Sequence, residues 1–134
     1  TYYQQFVKDK IEDGEKASMQ IGNMYTASIF MSLISLLVIS KEQQKELTGN
    51  TVGFLSYGSG SKSKIFEGLI SKNWLDKTKY LTIFETLKNR KFIDFNTYEN
   101  LHNYTFEHPI VKNKNIVLTN IDVQENKCGF RYYQ

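Results

Sequence analysis

Two short stretches of the chain carry residues that could bind an oxygen-rich ligand. In the first, Gly22 and Asn23 stand directly before an apolar segment. The Asn23 amide offers a donor and an acceptor without charge, and Gly22 lets the backbone approach a ligand closely. Asn is also among the best helix N-capping residues, so Asn23 acts either as a cap or as a ligand-binding group.

The second stretch is the turn-forming sequence Gly58-Ser59-Gly60, which follows a short apolar run. Glycines allow several backbone N–H groups to point at one anion, such as a carboxylate or an oxyanion, and Ser59 adds a hydroxyl donor. Plain hairpin-turn chemistry accounts for the same residues. A nucleotide-phosphate loop fits poorly, because the sequence contains neither G-x-x-x-x-G-K-[ST] nor G-x-G-x-x-G.

A complete catalytic set is not evident. Cys128, the single cysteine, could in principle pair with His102 or His108, but it falls in a predicted hairpin turn without a nucleophile signature. One thiol forms neither an intramolecular disulfide nor a cysteine-rich zinc site, so we expect no metal and a reducing, cytoplasmic compartment.

The composition is that of one ordinary folded domain. The chain has 134 residues, of which 40% are hydrophobic and 14% aromatic. Its net charge of +3 is spread along the sequence, so we expect no nucleic-acid partner. The longest apolar run, residues 29–39, is shorter than the about 20 residues of a membrane span and predicts a core helix. No secretory leader is visible, and we interpret the start as a boundary inside a longer protein.

The apolar pattern predicts helices in the first part of the chain and a strand pair after them. We expect a solvent-facing helix within residues 4–18, a loop over 19–23 and a buried helix over 25–39. Ser28, Ser32 and Ser35 place small residues on one face of that helix, so another helix could approach it closely. Residues 51–57 predict a buried strand, and residues 62–71 predict its antiparallel partner.

The C-terminal part predicts two further helices and a hairpin. Asp76 is a candidate N-cap for a helix over residues 77–89. Asp94 or Asn96 is the candidate cap of a shorter helix that ends near residue 103. Residues 115–122 and 130–133 alternate as paired strands around a polar turn. The fold class is therefore α/β, with a buried helix, mostly antiparallel or mixed sheet strands, and C-terminal helices and a hairpin.

Both binding stretches resemble motifs of one enzyme family, the bacterial-type 3-hydroxy-3-methylglutaryl-CoA synthases. Residues 22–28, Gly-Asn-Met-Tyr-Thr-Ala-Ser, resemble the family's Gly-Asn-x-Tyr-Thr-Gly/Ala-Ser. Residues 53–60 resemble its Gly-Leu-Phe-Ser-Tyr-Gly-Ser-Gly, with Phe54 and Leu55 in reversed order. The resemblance covers nearly the whole chain and implies the C-terminal half of a thiolase-like fold. Residues 1–134 would form a single C-terminal part, with 1–75 in the thiolase-like core and 76–134 a helical and hairpin extension.

The resemblance also implies an activity. In this family a cysteine is acetylated by acetyl-CoA, the acetyl enolate adds to acetoacetyl-CoA, and hydrolysis releases 3-hydroxy-3-methylglutaryl-CoA for the mevalonate pathway. Asn23 would contact the acyl substrate, and Ser59 with Gly58 and Gly60 would bind its carboxyl or keto oxygens. No cofactor is implied beyond the CoA thioester substrates.

The family's nucleophilic cysteine, catalytic histidine and acidic glutamate have no matching positions in this sequence. The chain alone is therefore expected to be inactive and to need the N-terminal half of the synthase, with a homodimer expected for the full-length protein. Two alternatives stay open: a polyketide β-branching relative that takes acyl groups from carrier proteins, and a non-catalytic binding or assembly module.

The apolar segment generates a first prediction. Expressed alone, the chain should self-associate or bind a partner through the surface around residues 29–37, because large exposed apolar patches rarely stay uncovered. Light scattering and a hydrophobic dye would check this. A monodisperse monomer that binds no dye would contradict it.

Overall fold

The structure is a computed structural model that describes residues 1–106, 110 and 118–134. Its contacts divide the chain into two units, Thr1–Arg90 and Lys91–Gln134. Residues 76–90, assigned above to the extension, make their contacts within the first of these units.

The first unit consists of helices followed by a strand pair and two short helices. In chain order the elements are α1 (Tyr2–Lys10), α2 (Glu12–Ser18), a 3-10 turn (Tyr25–Ala27), α3 (Ser28–Glu42), β1 (Thr51–Gly58), β2 (Lys62–Leu69), α4 (Trp74–Lys77) and α5 (Ile83–Lys88). The helical lead-in, the loop over 19–23 and the apolar helix are thus confirmed.

Helices α2 and α3 approach each other closely, and the Ser35 hydroxyl joins them. Its oxygen accepts a hydrogen bond from the Ala17 N–H at 3.2 Å and donates to the Asp13 carbonyl at 2.6 Å. Ala17 and Ser35 are both fully buried. At Gly14, an added Cβ would already lie 3.6 Å from the Ser32 carbonyl oxygen. The close helix approach predicted from the serines is therefore confirmed. Ser35 in addition forms hydrogen bonds to the backbone of α2.

Burial of α3 is confined to its C-terminal half. Val38 and Ile39 are core residues, whereas Phe30 near the start of the helix is 55% exposed. The predicted burial of the helix over residues 25–39 is therefore confirmed only for its C-terminal half. By length and composition alone, Tyr25–Glu42 could also cross a membrane, with a mean hydropathy of 1.3, a criterion that core helices of soluble proteins also meet.

Strands β1 and β2 form the predicted antiparallel hairpin. Phe54 lies opposite Phe66, and their rings stack with centroids 4.8 Å apart. The predicted burial of β1 is wrong: its alternate side chains are only half-buried, and Leu55 on the other face is 71% exposed. The physical reason is that β1 and β2 form a two-stranded sheet, so one face of the ribbon packs and the other faces solvent.

The helix predicted over residues 77–89 is split, and Asp76 does not cap it. Asp76 lies inside α4, where its carboxylate pairs with Lys79 at 3.0 Å. Trp74 and Thr78 are buried, and the Thr78 carbonyl accepts a hydrogen bond from the Lys41 ammonium of α3 at 3.0 Å. These contacts with a distant part of the chain turn the backbone before α5 begins.

The second unit contains α6 (Phe95–His102) and the hairpin of β3 (Leu118–Ile121) with β4 (Arg131–Tyr133). Of the two candidate caps, Asp94 is the N-cap of α6, and its carboxylate accepts the Thr97 N–H at 2.7 Å. The antiparallel pairing of β3 and β4 confirms the predicted C-terminal hairpin. Residues 115–117 of the predicted strand lie outside the described residues.

The α2–α3 junction generates a stability prediction. Ser35→Ala should lower the free energy of unfolding by about 1–2 kcal/mol, because it removes a buried hydroxyl that bonds to two backbone groups. Ser32→Ala is the matched control, since Ser32 lies on the same face and makes no hydrogen bond through its hydroxyl among the described residues. Chemical denaturation of both variants measures the difference, and equal stabilities would contradict the role of Ser35.

The Asp94 cap generates a pH prediction. The Thr97 backbone N–H, bound to the Asp94 carboxylate, holds the pKa of that carboxyl below its ordinary value. The cap therefore contributes its full stabilisation above the unfolded-state pKa of about 3.9, and this is lost as the pH falls through the lower folded-state pKa. An NMR titration of the Thr97 amide should follow that loss. In Asp94→Asn, which keeps an acceptor but does not ionise, this step should disappear.

Candidate substrate-binding site

Asn23 lies on the exposed segment that connects α2 to α3. Gly22 before it adopts a left-handed backbone with φ of +88°, which lets the chain leave the end of α2 sharply. The Asn23 Oδ1 atom accepts the Tyr25 N–H at 2.7 Å. Asn23 therefore closes a local turn onto Tyr25, whereas the N-cap of the 3-10 turn is Met24 and that of α3 is Ala27.

The bond to the Tyr25 N–H uses only the oxygen of the Asn23 amide. Its Nδ2 atom donates to no acceptor among the described residues, and the side chain is exposed. Because Oδ1 is held by the Tyr25 N–H, the NH₂ group is directed away from the backbone. The N-cap interpretation of Asn23 is therefore wrong, and the interpretation of its amide as a ligand-binding group stays a prediction.

Gly58, Ser59 and Gly60 lie at the exposed tip of the β1–β2 hairpin. Gly58 pairs with Lys62, and the two residues after it begin the turn. The left-handed residue of this turn is Ser61, with φ of +54°, and neither glycine has a positive φ. Within the described part of the chain, the Ser59 hydroxyl and N–H donate to no protein acceptor. The tip therefore offers unpaired donors on a short, polar turn.

Helix α3 supports both candidate segments. The Asn23 segment runs through the 3-10 turn into the start of α3, and β1 contacts the same helix. No hydrogen bond among the described residues joins Asn23 to the Ser59 turn. These contacts with α3 do not by themselves bring the Ser59 turn close to Asn23.

The cysteine and the histidines do not form a catalytic arrangement in the described residues. Cys128 is exposed in the turn between β3 and β4, as predicted. His102 ends α6 and stacks on Tyr98 with ring centroids 6.0 Å apart. His108 lies outside the described residues. Those residues contain no cluster of histidine, cysteine and carboxylate groups that could hold a metal.

A charged surface cleft of about 340 Å³ lies beside α1 and α2, away from the predicted residues. Asp13 occupies it and pairs with Lys16 at 2.8 Å and with Lys45 at 2.9 Å. The bond from Lys16 is the main cause of a lowered pKa of the Asp13 carboxyl, which burial partly opposes. Since these charges already satisfy one another, the cleft is a salt-bridged joint between α2 and the segment after α3.

Two features of the site could not be read from the sequence. The first is the left-handed backbone of Tyr25, with φ of +50°. Tyrosine rarely adopts this conformation, so its residue type does not predict it. The anchoring of the connecting segment by Arg90, whose guanidinium donates to the Gln20 carbonyl, joins residues far apart in the chain. One local pattern could have indicated the Asn23–Tyr25 bond: an Asn side chain often accepts a hydrogen bond from the backbone N–H two residues later.

Comparison with known proteins finds one family along almost the whole chain. The sequence model of the family described as hydroxymethylglutaryl-coenzyme A synthase C terminal matches residues 2–126. The hydroxymethylglutaryl-CoA synthase of Haloferax volcanii is 32% identical over 92 residues, which are 69% of this chain and 21% of that protein. The synthase of Enterococcus faecalis is 33% identical over 97 residues, 72% of this chain and 24% of that protein. The chain therefore spans about a fifth of the length of these curated relatives.

A solved structure shares the fold. It is described as MvaS in complex with 3-hydroxy-3-methylglutaryl coenzyme A, with a TM-score of 0.69 and 23% identity. The likeness covers 96% of this chain and 29% of that one. This confirms the predicted α/β fold class.

Proposed function

The chain belongs to the hydroxymethylglutaryl-coenzyme A synthase C-terminal family, and from that membership we propose that it forms part of a working synthase. That enzyme is a transferase which condenses acetyl-CoA with acetoacetyl-CoA to 3-hydroxy-3-methylglutaryl-CoA in the mevalonate pathway. In this proposal the chain supplies substrate-binding groups, and the reaction's nucleophile lies elsewhere in the same enzyme.

The observation that carries the proposed substrate contact is the Asn23 NH₂ group in the family's Gly-Asn motif, which donates to no acceptor among the described residues. Its oxygen is held by the Tyr25 N–H at 2.7 Å, so the NH₂ group is preset as a donor before substrate arrives. When a carbon nucleophile adds to a keto group, negative charge gathers on the keto oxygen. A preset neutral donor stabilises that charge without reorganising, and its effect grows when water is excluded.

The Ser59 turn supplies the second set of donors in this proposal. The hydroxyl and backbone N–H of Ser59, flanked by Gly58 and Gly60, suit a carboxylate or thioester oxygen. The absence of a side chain at both glycines lets a ligand reach the backbone. At the described tip an added Cβ on Gly60 would meet no atom within 4 Å, so the space there is open.

The rest of the catalytic machinery would come from the N-terminal part of the synthase. The exposed apolar residues of the β1–β2 ribbon, such as Leu55 and Ile65, support this, because a folded enzyme would cover them. The exposed start of α3 supports it in the same way. A homodimer of the full-length protein and a cytoplasmic location, consistent with the free thiol of Cys128, belong to the same proposal.

The intact mass and sequence of the native gene product provide the first test. We expect a product several times longer than 134 residues, with a cysteine and a histidine upstream of this sequence. A native product of about this length, without them, would overturn the catalytic proposal and leave a binding or assembly role.

Substitutions in the native protein test the donors. Asn23→Asp keeps the oxygen that accepts the Tyr25 N–H but replaces the NH₂ donor by an anionic oxygen. We expect kcat/KM for acetoacetyl-CoA to fall by about 100-fold or more, with little change in melting temperature. Ser59→Ala should cost about tenfold, the effect of one lost hydrogen bond of about 1.4 kcal/mol.

Matched controls separate these effects from general damage. Asn96→Asp alters an exposed amide on α6, and Ser63→Ala alters an exposed serine of the same hairpin. Both should keep wild-type kinetics. If Asn23→Asp turned over acetoacetyl-CoA as well as Asn96→Asp does, the role of the Asn23 amide would be refuted.

A further inference from the structure

Tyr25 adopts a backbone conformation that its side chain disfavours. Its φ is +50°, in the left-handed region where a Cβ atom crowds the following carbonyl oxygen. For a bulky residue such a φ is a genuine outlier, and residues of this kind cluster at functional sites. The unfavourable backbone conformation therefore suggests that the tyrosine side chain has a function at this position.

Local structure explains the other left-handed residues of the described chain but not Tyr25. Gln44 and Tyr104 follow the ends of α3 and α6, where a left-handed residue is a usual helix terminator. Ser61 closes the β1–β2 hairpin, where such a backbone is also common. Tyr25 instead begins a 3-10 turn that leads into a helix, a position that needs no left-handed residue.

Packing does not explain Tyr25 either. Its side chain is 85% exposed. Among the described residues its ring stacks on no other aromatic ring and its hydroxyl makes no hydrogen bond. Its backbone N–H, however, is the group that holds Asn23 Oδ1 at 2.7 Å. The strained residue and the free amide thus belong to one short turn.

From this juxtaposition we infer that Tyr25 is a substrate-contacting residue, whose ring covers the acyl group bound at Asn23. An aromatic ring beside the amide excludes water from the Nδ2–oxygen hydrogen bond and so strengthens it. The bound chemistry is a short β-keto acyl chain with a polar oxygen at Asn23 and apolar carbons against the ring. The inference rests on the proposed function and adds to it the residue that closes the acyl pocket.

Steady-state kinetics and melting temperatures of variants of the native protein test the inference. Tyr25→Gly removes the ring and suits the left-handed backbone, so we expect KM for acetoacetyl-CoA to rise about tenfold while the melting temperature does not fall. Tyr25→Phe keeps the ring and should stay within about twofold of wild type. Tyr104→Gly is the matched control, an equally exposed left-handed tyrosine (94%) in the other unit, and should leave KM unchanged.

Each outcome decides the inference. A raised KM in Tyr25→Gly alone supports it, and the retained KM of Tyr25→Phe assigns the effect to the ring. Wild-type kinetics in Tyr25→Gly, or a lowered melting temperature that shows a packing role, would overturn it while the proposed function stood. A native protein without condensation activity would overturn both.

Discussion

The Ser35 hydroxyl is the contact on which the candidate site depends. It bonds to the backbone of α2 at both Ala17 and Asp13, so α2 and α3 are held at a fixed separation. The segment with Asn23 runs between the end of one helix and the start of the other. Because both of its ends are fixed, a segment of this length has few conformations left, and the Arg90 bond to Gln20 restricts it further.

Within that fixed frame, the site's donors are arranged by very local chemistry. The Tyr25 N–H determines which end of the Asn23 amide faces outward. The Ser59 turn is positioned by the pairing of β1 with β2, which places Gly58 opposite Lys62. Each donor set is thus preorganised by its own short turn, while α3 supports both. Such a division allows the candidate binding groups to be exposed and still held in a defined orientation.

The first unit exposes apolar surfaces of the kind that pack against another protein surface. Half of the β1–β2 ribbon and the start of α3 expose large side chains, among them Phe30 and Leu55. The unit's core is correspondingly small, with Val38, Ile39 and Trp74 among its buried residues. Close contact between α2 and α3, joined through the Ser35 hydroxyl, adds to this small core, whereas the partly exposed Asp13 ion pairs contribute little.

Most of the helices and strands, and the candidate site residues, were predictable from the sequence. The apolar run predicts α3, the Gly-Ser-Gly turn predicts the antiparallel hairpin, and a cap at Asp94 or Asn96 predicts α6. These features are predictable because helix caps, turns and side-chain periodicity depend on residues only a few positions apart. The two motifs that contain Asn23 and Ser59 also indicated the family, because their order and separation can be read directly from the sequence.

How those elements pack against one another was not predictable from the sequence. The bond from Ser35 to α2, the split of the predicted 77–89 helix where Lys41 reaches the Thr78 carbonyl, and the exposure of β1 all depend on distant segments. The orientation of the Asn23 amide and the left-handed backbone of Tyr25 were likewise visible only in three dimensions. The physical reason is that burial and long-range hydrogen bonds depend on which surfaces come together, and local propensity carries no information about that.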